Sequence, residues 1–178
     1  MSFRVDIPVI ETERLILRGV TPEDHPQFAA YFATERSHFT GGPQDEVEVF
    51  ATMMRMAGHW HLRGFGLWTI EDRATGTAAG WAGILLNFDW PEPELGWTVF
   101  GNHEGKGLAF EAATAARLHA ARHLGIRAPI SLIRPSNARS AALARRMDAV
   151  LENPDGLLRG IPCHIWRHPD VLSEGAAA

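Results

Sequence analysis

The sequence of 178 residues holds one cysteine, Cys163, and one tyrosine, Tyr31. A single cysteine excludes an intramolecular disulfide and fits a reducing compartment. Cys163 is either a catalytic thiol or a small buried residue, and nothing nearby marks it for thiolate activation. Long apolar runs are missing as well. The longest, Trp81 to Leu86, is far short of the ~20 residues a membrane span needs. The opening MSFRVDIPVI lacks the apolar stretch of a signal peptide. These absences predict a cytoplasmic protein with no membrane partner. There is no basic excess: the formal charge is -4, whereas phosphate-backbone binding shows itself as a surplus of cations, so nucleic acid is not an expected partner. Lysine is almost absent, Lys106 standing alone among 17 cationic residues.

What is present is an ordinary globular balance, 46% hydrophobic and 21% charged, at a length that suits one domain, residues 1–178, with a tail from about residue 170. Leu15, Ile16 and Leu17 read as a strand. Thr21-Pro22-Glu23-Asp24 then supplies an N-cap, a first-turn proline and acidic residues for a helix through Tyr31. The Gly41-Gly42-Pro43 break precedes a second helix, with Val47, Phe50, Met54 and Ala57 at helical spacing. Met53, Met54 and Met56 read as gap-filling core residues. "GLWTIED" and "TAAGWAGILLN" form a hairpin through Arg73-Ala74-Thr75-Gly76, and "PELGWTVF" is a third strand. An alanine-rich helix from Leu108 stops at Gly125. A strand, "APISLIR", a short helix capped by Ser136 or Asn137, and two strands turning around Asn153-Pro154-Asp155-Gly156 complete the chain. The order predicts an α/β (α+β) domain with a mostly antiparallel sheet.

Phosphate chemistry centres on "GNHEGKGLAFEA". A Walker A loop fails, because Gly101 is one residue too close to Gly105-Lys106 and Gly107 replaces the magnesium-binding hydroxyl. A dinucleotide fingerprint fails because Phe110 stands where Gly or Ala is needed. A third kind of loop wraps a pyrophosphate in backbone N–H groups at a helix start. Gly105, Gly107 and Ala109 give clearance for it, and the helix from Leu108 gives the donors. A plain loop before a helix is the alternative.

"ELGWTVF", "GKGLAxEA" and "RPSNARSAALARRM", in that order, resemble the GNAT superfamily of acyl-CoA-dependent N-acyltransferases. "ETERLILRGVTPED" is similar to the opening of its ribosomal-protein N-terminal acetyltransferase branch. The resemblance covers nearly the whole chain. It implies a mixed sheet splayed in a V, with acetyl-CoA as co-substrate and an amine as acceptor. The family's R/Q-x-x-G-x-G/A falls on Glu104 to Ala109, with Glu104 in place of Arg or Gln. Lys106 then adds a charge near a phosphate or is merely solvated. Trp97, Thr98 and Val99 pair through backbone with pantetheine, and Asn137 holds it or caps its helix. Arg139, Arg145 and Arg146 face the adenosine phosphates or the solvent.

Attack by an amine needs a base, donors for the thioester oxygen and a proton for the thiolate. Glu94 is either the candidate base, acting through water, or merely an exposed strand residue, with Asp89 and Glu92 nearby to attract a cationic substrate. The tyrosine many members carry seven residues after the asparagine is Ala144 here, so Ser140 is the candidate donor. The usual Gly-Phe after that helix is Asp148-Ala149. His119 and His123, four apart on one helix, lack a third ligand, and no metal is expected. Trp60 and Trp90 belong to the acceptor side or to packing. The chain is expected as a monomer or homodimer. A non-catalytic acyl-CoA-binding module is the rival reading.

Overall fold

The computed structural model describes residues 5–173. Its elements run β1 (Ile10–Glu11), β2 (Leu15–Arg18), α1 (His25–Phe32), α2 (Glu46–Arg63), β3 (Leu67–Asp72), β4 (Thr77–Leu85), β5 (Glu94–Val99), α3 (Leu108–His123), β6 (Ile130–Ile133), α4 (Ala138–Arg146), β7 (Val150–Leu158) and β8 (Ile161–Arg167). Short 3-10 turns cover Pro22–Asp24, Glu35–Thr40 and Gly101–His103. One sheet takes the order β1-β2-β3-β4-β5-β6-β8-β7, antiparallel except where β5 meets β6.

The alanine run of α3 has high helix propensity and also lets the helix lie close to the sheet. Ala112, Ala113, Ala116 and Ala120 are fully buried against Leu15, Leu17, Trp68, Ile70, Ile84 and Leu95. The opposite face carries an aromatic layer: Phe28, Tyr31 and Phe32 of α1 pack on Trp81 and Phe100, with Met53 and Met56 of α2. At the far end Ile133, Ala144, Ala149 and Trp166 form a third cluster around α4. Of the three methionines expected in the core, Met53 and Met56 are buried and Met54 is exposed.

Two sequence expectations change. The second helix forms, capped by Asp45, whose carboxylate accepts from Glu48 N–H. Its buried residues, however, are Val49, Met53, Met56 and Trp60, while Val47, Phe50 and Met54 are exposed. The last hairpin does not turn at Asn153–Gly156. Strand β7 runs through that stretch with register shifts and turns at Arg159-Gly160, two residues with positive φ, 53° and 76°. A two-residue loop with both φ positive matches the twist of the flanking strands. Of the expected tail, Asp170 pairs with Arg127, and 174–178 lie outside the described residues. No helix among the described residues is long and apolar enough to cross a membrane.

Candidate active site

Strands β5 and β6 pair in parallel at one position only, Glu94 with Ile130. Beyond it they diverge, and a cleft of about 1370 Å³ opens between the two arms of the sheet. Side chains replace the missing ladder at its apex. The Glu94 carboxylate Oε1 accepts from the Leu132 N–H at 3.0 Å, and the Ser131 hydroxyl donates to the Leu95 carbonyl at 2.7 Å. Past that point the β6-facing edge of β5 has no strand partner. Trp97, Thr98 and Val99 line the cleft there.

At the open end the chain leaves β5, passes a short 3-10 turn and enters α3. Gly105 and Gly107 both hold left-handed φ, 74° and 80°, which a side chain resists. Gly107 is the N-cap of α3 and offers no side chain to its first turn. The N–H groups of Leu108, Ala109 and Phe110 are therefore free for an anion, with the positive end of the helix behind them. Gly105, Gly107, Leu108 and Ala109 all line the cleft. Their loop is fixed from outside by Arg14, whose Nη1 donates to the Lys106 carbonyl at 2.9 Å. In a trans peptide the Gly107 N–H points the opposite way. Glu111 completes the brace, accepting from Arg14 Nε, Arg14 N–H and the Thr12 hydroxyl. Lys106 differs from its neighbours: it lines a shallow depression with Thr12, Arg14 and Glu111 rather than the cleft.

Asn137 and Ser140 also line the cleft. The Asn137 side-chain oxygen accepts from Ser140 N–H at 3.1 Å, so the cap role is in place. The Ser140 hydroxyl makes no hydrogen bond among the described residues. Arg139 and Arg146 line the cleft, Arg146 stacked over Phe110, whereas Arg145 stacks over Trp166 and is not among the lining residues. Trp60 is core, its indole N–H on the Leu67 carbonyl, and Trp90 lines the cleft.

Glu94 is buried, at 9% exposure, rather than lying on an exposed strand face. Burial pushes its carboxyl up to about 8, against the single hydrogen bond from Leu132. Cys163 of β8 is buried in the same cleft wall, its thiol pushed up by burial and by Glu94. Asp89 and Glu92 are not free to attract a cation: Arg159 holds Asp89, and Arg167 holds Glu92 together with Glu152. His119 and His123 sit side by side, ring centres 4.6 Å apart, and no cluster of three metal-ligating residues occurs among the described residues.

Sequence reasoning missed three parts of the site. One is the Thr12–Arg14–Glu111 brace. Another is a buried chain behind the apex, in which Arg117 Nη1 approaches His168 Nδ1, at 3.4 Å, and His168 Nε2 donates to Ser131 Oγ at 2.9 Å. The third is Tyr31, which lines the cleft and whose hydroxyl bonds Thr40 at 3.0 Å. Thr12 and Arg14, in the opening stretch, and Glu111, in the glycine-lysine stretch, lay in segments the sequence singled out, but nothing there paired them.

Comparison with known proteins agrees with this geometry. An acetyltransferase (GNAT) domain model matches residues 14–150. The ribosomal protein uS5-alanine N-acetyltransferase of Escherichia coli K12 is 27% identical over 159 residues, 82% of this chain and 81% of its own. The structure of an acetyltransferase from Agrobacterium tumefaciens C58 superposes with a TM-score of 0.83 at 33% identity, over 94% of this chain and 98% of that one. RimL, a ribosomal L7/L12 α-N-protein acetyltransferase solved in complex with coenzyme A, shares the fold: TM-score 0.67 at 19% identity, over 90% and 96%.

Proposed function

We propose, because the chain belongs to the acetyltransferase (GNAT) family, that it acetylates a primary amine, a protein N-terminus in the first place, with Glu94 as the base. Family membership makes it an acetyl-CoA-dependent N-acetyltransferase; the acceptor and the residue roles are our reading. The carrying observation is that one cleft holds an uncapped helix start at its mouth and a buried carboxyl at its apex.

The free amides of Leu108 to Phe110 and the unpartnered edge of β5 fit a pyrophosphate followed by a peptide-like arm. Coenzyme A supplies the activated acyl group as a thioester. Glu94 takes a proton from the amine, directly or through one water, as the nitrogen bonds the acyl carbon and the carbon–sulfur bond breaks. The Ser140 hydroxyl then protonates the departing thiolate and regains a proton from solvent, while Glu94 releases its own to solvent. A carboxyl at about 8 is matched to an α-amino group, with pKa about 7.7–8, far better than to a lysine at about 10.4. That match favours N-terminal amines, the acceptor class named for the Escherichia coli relative.

The test is an acetyl-CoA turnover screen of peptides with N-terminal Ala or Ser against small amines. Turnover on the peptides, reduced by about 10²–10⁴-fold in Glu94→Gln with coenzyme binding retained, is expected. The rate is also expected to rise from pH 7 to 9 as Glu94 ionises, and the variant to keep only the part of the rise that comes from the amine's own deprotonation. Stoichiometric coenzyme binding with no turnover on any amine would leave the binding-module reading instead.

A further inference from the structure

Glu104 stands where the family pattern has Arg or Gln, and its carboxylate bridges the two arms of the cleft. One oxygen pairs with Arg36 Nη2 at 2.6 Å, the other with Arg139 Nη1 at 2.9 Å. Arg36 lies on the 3-10 turn Glu35–Thr40, which follows α1 on the N-terminal arm and is tied back by the Tyr31–Thr40 bond. Arg139 lies in the first turn of α4, on the other arm. All three side chains line the cleft, and Glu104 directly precedes Gly105 of the amide cradle.

We propose that Arg36 and Arg139 are a two-sided clamp for a phosphate group of coenzyme A, and that Glu104 fills the clamp in the coenzyme-free protein. Loading is then an anion exchange at the mouth of the cleft. This rests on the reading of the cleft as a coenzyme A site. The exposures support exchange rather than a permanent bridge. The arginine side chains are 48% and 62% exposed, and ion pairs that open to water are worth little. A phosphate offers more negative charge than a carboxylate and several acceptor oxygens, and a guanidinium fork suits it. Two arginines held 2.6 and 2.9 Å from one carboxylate are thus already gathered for a stronger anion. Glu104 preorders the clamp and competes for it at once, and the competition governs affinity.

Calorimetric titration of the full chain with coenzyme A and with 3′-dephospho-coenzyme A tests this. Glu104→Gln, which is close to isosteric, is expected to bind coenzyme A roughly five- to tenfold more tightly than wild type, and Arg36→Gln and Arg139→Gln each to bind more weakly by a similar factor. If the Glu104→Gln gain persists with the dephospho compound, the pyrophosphate occupies the clamp; if it disappears, the 3′-phosphate does. Equal or weaker binding by Glu104→Gln would overturn the competition, and unchanged binding by Arg36→Gln would remove the N-terminal half of the clamp. Wild-type protein that binds no coenzyme A would sink the coenzyme reading itself, which sets that failure apart. Unfolding temperatures of all four proteins establish that the comparison is between folded chains.

Discussion

Replacing Glu94 by glutamine should stabilise the protein, and do so increasingly as pH rises. The Glu94 carboxyl ionises near 4.5 in a solvated chain and near 8 in the folded one, because burial penalises the anion. Below pH 4.5 both states are protonated, and the group contributes nothing to the pH dependence. Between the two values the unfolded chain releases the proton and the native state keeps it, so stability falls as pH rises. Above pH 8 both states are ionised and the loss is constant. At about 1.36 kcal/mol per pH step, the full loss has a ceiling of about 5 kcal/mol. Wild type alone will not show this plainly, because His168 works the other way. Burial, and the nearby charges of Arg117 and Arg167, lower its imidazolium from 6.5 to about 3, so its contribution rises with pH between those values. The two slopes offset one another between pH 4.5 and 6.5. The difference between Glu94→Gln and wild type removes His168, since both proteins carry it. Urea unfolding of both at pH 5, 7 and 9 should show the variant gaining on wild type by several kcal/mol across the series. A gap that stays flat would mean that Glu94 ionises normally, and the base proposed above would lose its physical support.

The loop proposed to hold the coenzyme gives two further tests. Gly107 has φ 80° and open space where a Cβ would sit, the nearest atom being Arg14 Nη2 at 3.7 Å. Gly107→Val therefore meets backbone strain of about 1–3 kcal/mol rather than a clash, and should weaken coenzyme A binding at least tenfold. Lys106→Ala should cost under about threefold, as expected of an exposed charge; the reverse ranking in a binding titration would refute the amide cradle. Arg14→Ala frees the Lys106 carbonyl and unbraces Glu111. With Arg14 at 46% exposure, the loss of stability should be only about 1 kcal/mol, while KM for acetyl-CoA rises and kcat holds; a fall in kcat at constant KM would contradict a role confined to the loop.

Much of this was legible where the signal is local. Alanine density, Gly107 and Gly125 marked α3; the Arg73–Gly76 turn marked the β3–β4 hairpin; paired glycines marked the loop that enters α3 without a side-chain cap. The misses share a cause in two cases. In α2 the segment "EVEVFATMMRMAGHW" has apolar residues on two faces, and Val49-Met53-Met56-Trp60 has the same helical period as the set around Val47. Period identifies the helix, and only its neighbours decide which stripe is buried. In the last hairpin Asn-Pro-Asp-Gly is the stronger local turn signal, yet pairing with β8 on both sides of it carries the chain through as an irregular strand. The remaining misses are pairings at long range: Arg14 with Glu111, Arg159 with Asp89 and Arg167 with Glu92 lie 97, 70 and 75 residues apart. Nothing in one sequence links such residues.

The apex of the cleft explains why Glu94 is unusual. A parallel ladder that ended with no replacement would leave the Leu132 N–H and the Leu95 carbonyl buried without partners, at a cost of about 1–3 kcal/mol each. Ser131 takes one group and Glu94 the other. A side chain recruited to serve a backbone donor at that point must be buried, and a buried carboxyl with one hydrogen bond is held protonated to higher pH. The opening of the cleft and the raised ionisation of Glu94 therefore have a single origin, the point where β5 and β6 part. Ser131 belongs to that origin too. Its hydroxyl is oriented by His168, whose neutral ring must donate through Nε2 while Arg117 faces Nδ1. A buried chain of contacts thus runs from Arg117 through His168 and Ser131 to the Leu95 carbonyl, beside the point where the strands part.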